Sequence, residues 1–155
     1  MLPIAQLHPV AVHFLIVFFL TLAAFDMVIL VRGEAISGRT TAANISAGLA
    51  ILSGLSAIVA YVFGDLAYDV AISSGFAAVK LETHEALGTW TAAFIVIWAL
   101  LRGYFWWRGS PMERGGKAGA VGIEVTGALL IVTTAYFGGQ LVYELGVNVS
   151  RAIGS

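Results

Sequence analysis

The 155-residue sequence predicts an all-α membrane protein whose four transmembrane helices form an up-down-up-down bundle. Three observations predict it. Hydrophobic residues make up 59% of the chain and charged residues 11%, with a mean hydropathy of +0.92, whereas soluble domains average about 45–50% and about 25%. Four apolar segments each reach the ~20 residues that a helix needs to cross a hydrocarbon core of ~30 Å. The stretches between them are rich in Gly, Ser and charge, as connecting loops are.

The first helix is placed at 10–31. No Lys or Arg precedes it, and it is about twice the length of a secretory h-region of about 7–15 residues, so it reads as a retained helix and not as a cleaved leader. Pro9 suits its first turn, where a missing N–H costs nothing. After GEAISGRTT comes the second helix, at 42–63. Ser46, Ala50 and Gly54 recur there every four residues beside Ala43 and Ala47, a spacing that lets backbones approach closely in lipid. The third helix, at 86–107, follows the long stretch GDLAYDVAISSGFAAVKLET and ends in Trp106 and Trp107, rings suited to the membrane interface. RGSPMERGGKA leads to the fourth, at 119–138, with Gly119 and Gly127 inside it and Gly138-Gly139 at its end. These glycines read as packing positions. No internal repeat, low-complexity tract or soluble appendage is visible, and the chain reads as one domain over 1–155.

Four spans put both termini on one side. The first and third connections and their flanks hold Arg32, Arg39, Arg102, Arg108, Arg114 and Lys117, six of the eight basic residues, leaving Lys80 and Arg151 opposite. The positive-inside rule places the six in the cytoplasm. The sequence is thus expected to sit in a bacterial inner membrane with both termini periplasmic.

This orientation gathers the chain's three histidines, His8, His13 and His84, near the periplasmic face, together with Asp65, Asp69, Glu82, Glu85, Tyr143 and Glu144. His8 and Asp26 are eighteen residues apart, five whole turns and ~27 Å along one helix face, and His84 and Arg102 have the same separation. Helices one and three run parallel, so when His8 is level with His84, Asp26 is level with Arg102. A charge in the bilayer must face the interior and find a partner. The spacing therefore predicts an Asp26–Arg102 ion pair that Glu124 can join.

In an up-down-up-down bundle, helices one and three stand on a diagonal of ~11–14 Å, given neighbouring axes about 8–10 Å apart. That is close to what two imidazoles need to hold an iron between them. His13 is about 140° round the helix from His8 and ~7.5 Å deeper. Its roles stay open between deeper axial ligand, hydrogen-bond partner of Tyr61 or Tyr143, and core histidine.

His8-Pro9-Val10-Ala11-Val12-His13-Phe14 resembles the HPxxVHF opening of a family of small bacterial membrane proteins known as domain of unknown function 2231. Asp26, the run Thr83-His84-Glu85-Ala86-Leu87-Gly88, and the ending Gly138-Gly139-Gln140-Leu141-Val142-Tyr143-Glu144-Leu145-Gly146-Val147 match in the same order. The chain departs from the pattern at Leu15, where the family usually has Pro. The resemblance implies a four-helix protein with His8, His13 and His84 as its functional set. Some members are fused to cytochrome c-like or Rieske-type domains, which implies electron transfer.

The leading expectation is a small membrane protein that binds b-type haem between helices one and three through these histidines, exchanging electrons with a periplasmic redox protein or a larger membrane complex. Two alternatives are an accessory or assembly subunit of such a complex with structural histidines, and a zinc or copper site of His8, His13 and His84 with Glu85 or Asp65. Solute transport is disfavoured, since no inverted repeats or broken helices are visible. With no cysteine there is neither covalent haem attachment nor a cysteine-ligated cluster. A net charge of −1 gives nucleic acid no footprint, and no catalytic motif points to a stand-alone enzyme.

Overall fold

The computed structural model describes residues 6–149; Arg151 lies outside them. Four helices follow one another, α1 (Leu7–Val31), α2 (Thr41–Ser73), α3 (Ala78–Arg108) and α4 (Arg114–Tyr143), with no strand among the described residues. Each is long and apolar enough to cross a membrane. α1 and α3 each pack on both α2 and α4, so α1 faces α3, and α2 faces α4, across the diagonals of a square bundle.

The helices are longer than the apolar segments that announce them. The stretch at 64–83 was expected to be a loop, but α2 continues to Ser73 and α3 starts at Ala78, so only 74–77 connect them. Gly, Ser and charge here mark the exit from lipid and not the end of the helix: the 33 residues of α2 run for about 50 Å, well beyond a ~30 Å core. Outside the core the two helices stay together through a small second cluster of Ala71, Leu81 and Val147, flanked by Tyr68, Phe76 and Leu141. The turn closes on Gly75, whose φ of +92° lets the Phe76 N–H reach back to the Ala71 carbonyl at 3.1 Å. At the opposite end Gly109, with φ +65°, stops α3 in the same way.

Packing follows the logic of lipid. Large apolar side chains such as Val31, Trp90, Leu100 and Leu129 point outward and are well exposed, while the buried face of α2 is built from Ala43, Ser46, Ala47, Ala50, Ser53, Gly54, Ala57 and Ala60. Phe19, Leu22 and Ile95 fill the space these small residues leave. Two glycines are in close contact. A methyl group at Gly54 would come within 2.6 Å of the Ala99 Cβ, and one at Gly127 within 2.5 Å of the Phe19 ring.

Burial also discloses a regularity that the residue types conceal. Asp26 and Arg102 lie 76 residues apart. Adding the same interval to Leu15, Phe19, Leu22 and Ala23 of α1 reaches Thr91, Ile95, Trp98 and Ala99 of α3, all buried. On α2 and α4 the interval is 74 (from 46 to 120), and every buried residue of α4, namely Ala120, Val121, Glu124, Gly127 and Ile131, has a buried counterpart on α2. The α1–α2 and α3–α4 hairpins therefore bury equivalent faces with different side chains.

Gly127→Ala is expected to overpack the contact with Phe19 and destabilise the protein by about 1–3 kcal/mol. Gly119→Ala, where nothing lies within 4 Å of an added methyl group, should leave the melting temperature in detergent unchanged. Equal melting of the two variants would refute the packing argument.

Candidate functional site

The charged residues and histidines turned to the interior form two groups, one towards each end. Nearer the α1–α2 and α3–α4 connections, the late turns of α1 and α3 place Asp26 and Arg102 across the diagonal. Arg102 Nη2 donates to Asp26 Oδ2 at 2.8 Å and to the Ile36 carbonyl at 3.1 Å. Ser46 Oγ donates to the same Asp26 oxygen at 2.7 Å and also contacts Arg102 Nη2. From α4, Glu124 Oε1 accepts the Trp98 indole N–H at 3.2 Å and lies 3.7 Å from Arg102 Nη1. Asp26 and Glu124 are completely buried and Arg102 is 2% exposed, so water does not screen these charges. Ile36, in the α1–α2 connection, closes this end of the core.

Asp26 Oδ1, Arg102 Nη1 and Glu124 Oε2 make no hydrogen bond among the described residues. The cluster sets one guanidinium against two carboxyl groups, and this one cation holds both of them. Sequence spacing pointed to Asp26, Arg102 and Glu124. It did not point to Ser46, which looks like one more small packing residue, or to Trp98, whose indole has no sequence signal for a buried acceptor.

The second group lies at the end where α1 starts and α4 finishes. His8 of α1 and His84 of α3 approach each other across the diagonal with ring centroids 6.2 Å apart and ring planes at 73°. Each is fixed by a flanking helix. His8 Nδ1 is 3.0 Å from the Ala60 carbonyl of α2, and His84 Nδ1 is 3.1 Å from the Thr134 carbonyl of α4. A carbonyl only accepts, so each Nδ1 carries a proton, and in the neutral ring the lone pair is then on Nε2.

A glycine stands four residues beyond each acceptor. A Cβ at Gly64 would lie 3.1 Å from His8 Cε1, and one at Gly138 would lie 2.8 Å from His84 Cε1. The missing side chains give each imidazole its seat and open the carbonyl one turn earlier to a second donor. Gly138 belongs to the sequence run that ends α4, and Val147 of that run packs on Ala71 and Leu81. Gly64 carried no signal, being one of the 18 glycines of the chain.

His13 is not part of this pair. It sits on the exposed side of α1 and bonds the Pro9 carbonyl of its own helix. Tyr61 and Tyr143 are exposed as well, as are Asp65 and Glu85. Among the described residues no three His, Asp or Glu side chains converge as metal ligands.

Substitutions at the charged cluster should differ in a definite order. Asp26→Asn keeps the hydrogen bonds and removes one charge. Arg102→Leu leaves two buried carboxyl groups without their cation and is expected to cost about 3–5 kcal/mol. Combining Arg102→Leu with Asp26→Leu and Glu124→Leu should recover much of that loss in thermal unfolding, because an apolar cluster needs no partner. A single Arg102→Leu variant as stable as the parent would show that the cation holds nothing.

The three motifs that bring His8, His84 and Gly138 to one end lie within the region matched by a family model described as "Predicted membrane protein (DUF2231)", which spans residues 5–151. No curated protein and no solved structure matches the chain. On the family match, together with four helices able to cross a membrane, the chain belongs to the DUF2231 family of predicted membrane proteins.

Proposed function

We propose that this protein is a membrane-embedded electron carrier that holds b-type haem between His8 and His84. The observation that carries the proposal is the diagonal pair itself: two imidazoles from α1 and α3, 6.2 Å apart, each tied through Nδ1 to a backbone carbonyl. His8 and His84 would hold the haem iron from α1 and α3, each through the Nε2 that its backbone bond leaves free. The donor set and the seats at Gly64 and Gly138 suit such a group. Bound there, haem supplies one-electron exchange.

The residues of the chain divide the remaining work. The Ala60 and Thr134 carbonyls orient the rings and raise the basicity of Nε2 by accepting from Nδ1. Ala11, Leu15 and Ala92, deeper in the core, exclude water from the inner side of the pair. By the positive-inside rule the basic connections lie in the cytoplasm, so the pair lies near the periplasmic face of a bacterial inner membrane. Its electron partner is then a periplasmic redox protein or a larger complex in the same membrane. His13, turned away from the pair, is not a ligand in this reading.

A reduced-minus-oxidised visible spectrum of protein purified from its native membrane is expected to show a b-type haem. His8→Ala and His84→Ala should each abolish it, and His13→Ala should retain it. Haem that survives His84→Ala would refute the diagonal pair. Protein free of haem and metal would leave the imidazoles as helix-packing groups and favour an accessory subunit. For orientation, a C-terminal reporter active only outside the cytoplasm should be active. A silent one would reverse the sidedness and leave the pair intact.

A further inference from the structure

A basic groove of about 310 Å³ lies where the last turn of α1 meets the first turn of α4. Arg32, Arg114 and Lys117 supply its charge, and Leu30, Val31 and Gly33 complete its lining. Among the described residues none of the three cations comes within ion-pair distance of a carboxylate, the two ion pairs of this region both belonging to Arg102. Lys117 Nζ donates to the Glu34 carbonyl at 2.9 Å, which steadies the ammonium at the rim and leaves two of its hydrogens for a ligand. Arg39, at the same end, is engaged elsewhere: it donates to the Trp107 carbonyl and lies over the Trp106 ring.

The depth of the groove matters as much as its charge. It opens where α1 ends and α4 begins, at one end of the four helices able to cross a membrane, and beside Val31, which is 83% exposed. Three unpaired cations above an apolar wall match the two parts of a phospholipid. The first turn of α4, whose N-cap Glu113 makes no side-chain cap bond, adds a favourable dipole for an anion.

We infer that this groove is a binding site for an anionic phospholipid, its phosphate held by Arg32, Arg114 and Lys117 and an acyl chain lying along Val31. Zwitterionic lipid offers the same phosphate but brings its own cation, so the site should prefer the anionic headgroup. Electrostatic attraction of a basic residue for an anionic membrane surface corresponds to about fivefold in affinity per charge.

The test is lipid retention by the detergent-purified protein in native mass spectrometry, titrated with phosphatidylglycerol, phosphatidylcholine and inorganic phosphate. Phosphatidylglycerol is expected to bind several-fold more tightly than phosphatidylcholine. R32Q and R114Q should each weaken it about fivefold, while R108Q, at an exposed arginine outside the groove, should not. The charge-keeping R32K/R114K variant should retain most of the binding, which separates loss of charge from loss of fold. Equal retention of the two lipids, or full retention by R32Q/R114Q, would overturn the inference. Displacement of the lipid by millimolar inorganic phosphate would overturn its lipid assignment in favour of a soluble anion.

Discussion

Within a core of Ala, Leu, Ile and Phe, the contact of Arg102 with Asp26 can form in only one arrangement of the helices. An unpartnered charge within the bilayer is costly, and moving Asp26 by one position turns it by about 100° towards lipid. The 2.8 Å contact therefore sets both the rotation and the height of α1 against α3. Five turns away on each helix, the same setting brings His8 level with His84. A slip at the charged end would separate the imidazoles by the same amount, so the geometry of the ring pair depends on a contact in which it takes no part.

The two diagonals of the bundle contribute different things. α1 and α3 supply long side chains that reach across the centre, in both the ion pair and the ring pair. α2 and α4 supply mainly small residues and backbone acceptors: the Ala60 and Thr134 carbonyls, the seats at Gly64 and Gly138, and the Ser46 hydroxyl. In lipid, where apolar burial does not drive association, close backbone approach and hydrogen bonds hold helices together. The small faces of α2 and α4 thus bring the helices near enough for the polar groups to find partners.

Much of this was legible in the residues. Apolar length gave the four spans and their antiparallel order, and whole-turn spacing singled out Asp26 with Arg102, while His8 and His13 both stayed open as the partner of His84. The helix ends at 64–83 were not legible, because hydropathy records where a helix leaves lipid and α2 and α3 continue beyond it. His13 could not be set apart from His8 by depth and polarity alone; its exposure depends on the rotation that the ion pair imposes. The seats at Gly64 and Gly138 were hidden for another reason. A glycine that admits an imidazole looks, in one dimension, like a glycine that admits a neighbouring helix.

The matched burial of the two hairpins has a consequence for assembly. Surfaces this alike invite exchange, with a hairpin of one molecule taking the place of its counterpart in another. Towards one end of those surfaces, however, one half carries Asp26 where the other carries Arg102. Two copies of the first half would bury a pair of carboxylates with no cation, whereas in the second half Arg102 already has Glu124 beside it. The first half is thereby made selective for the second, and the residues that fix the register of the fold also determine which halves may be joined.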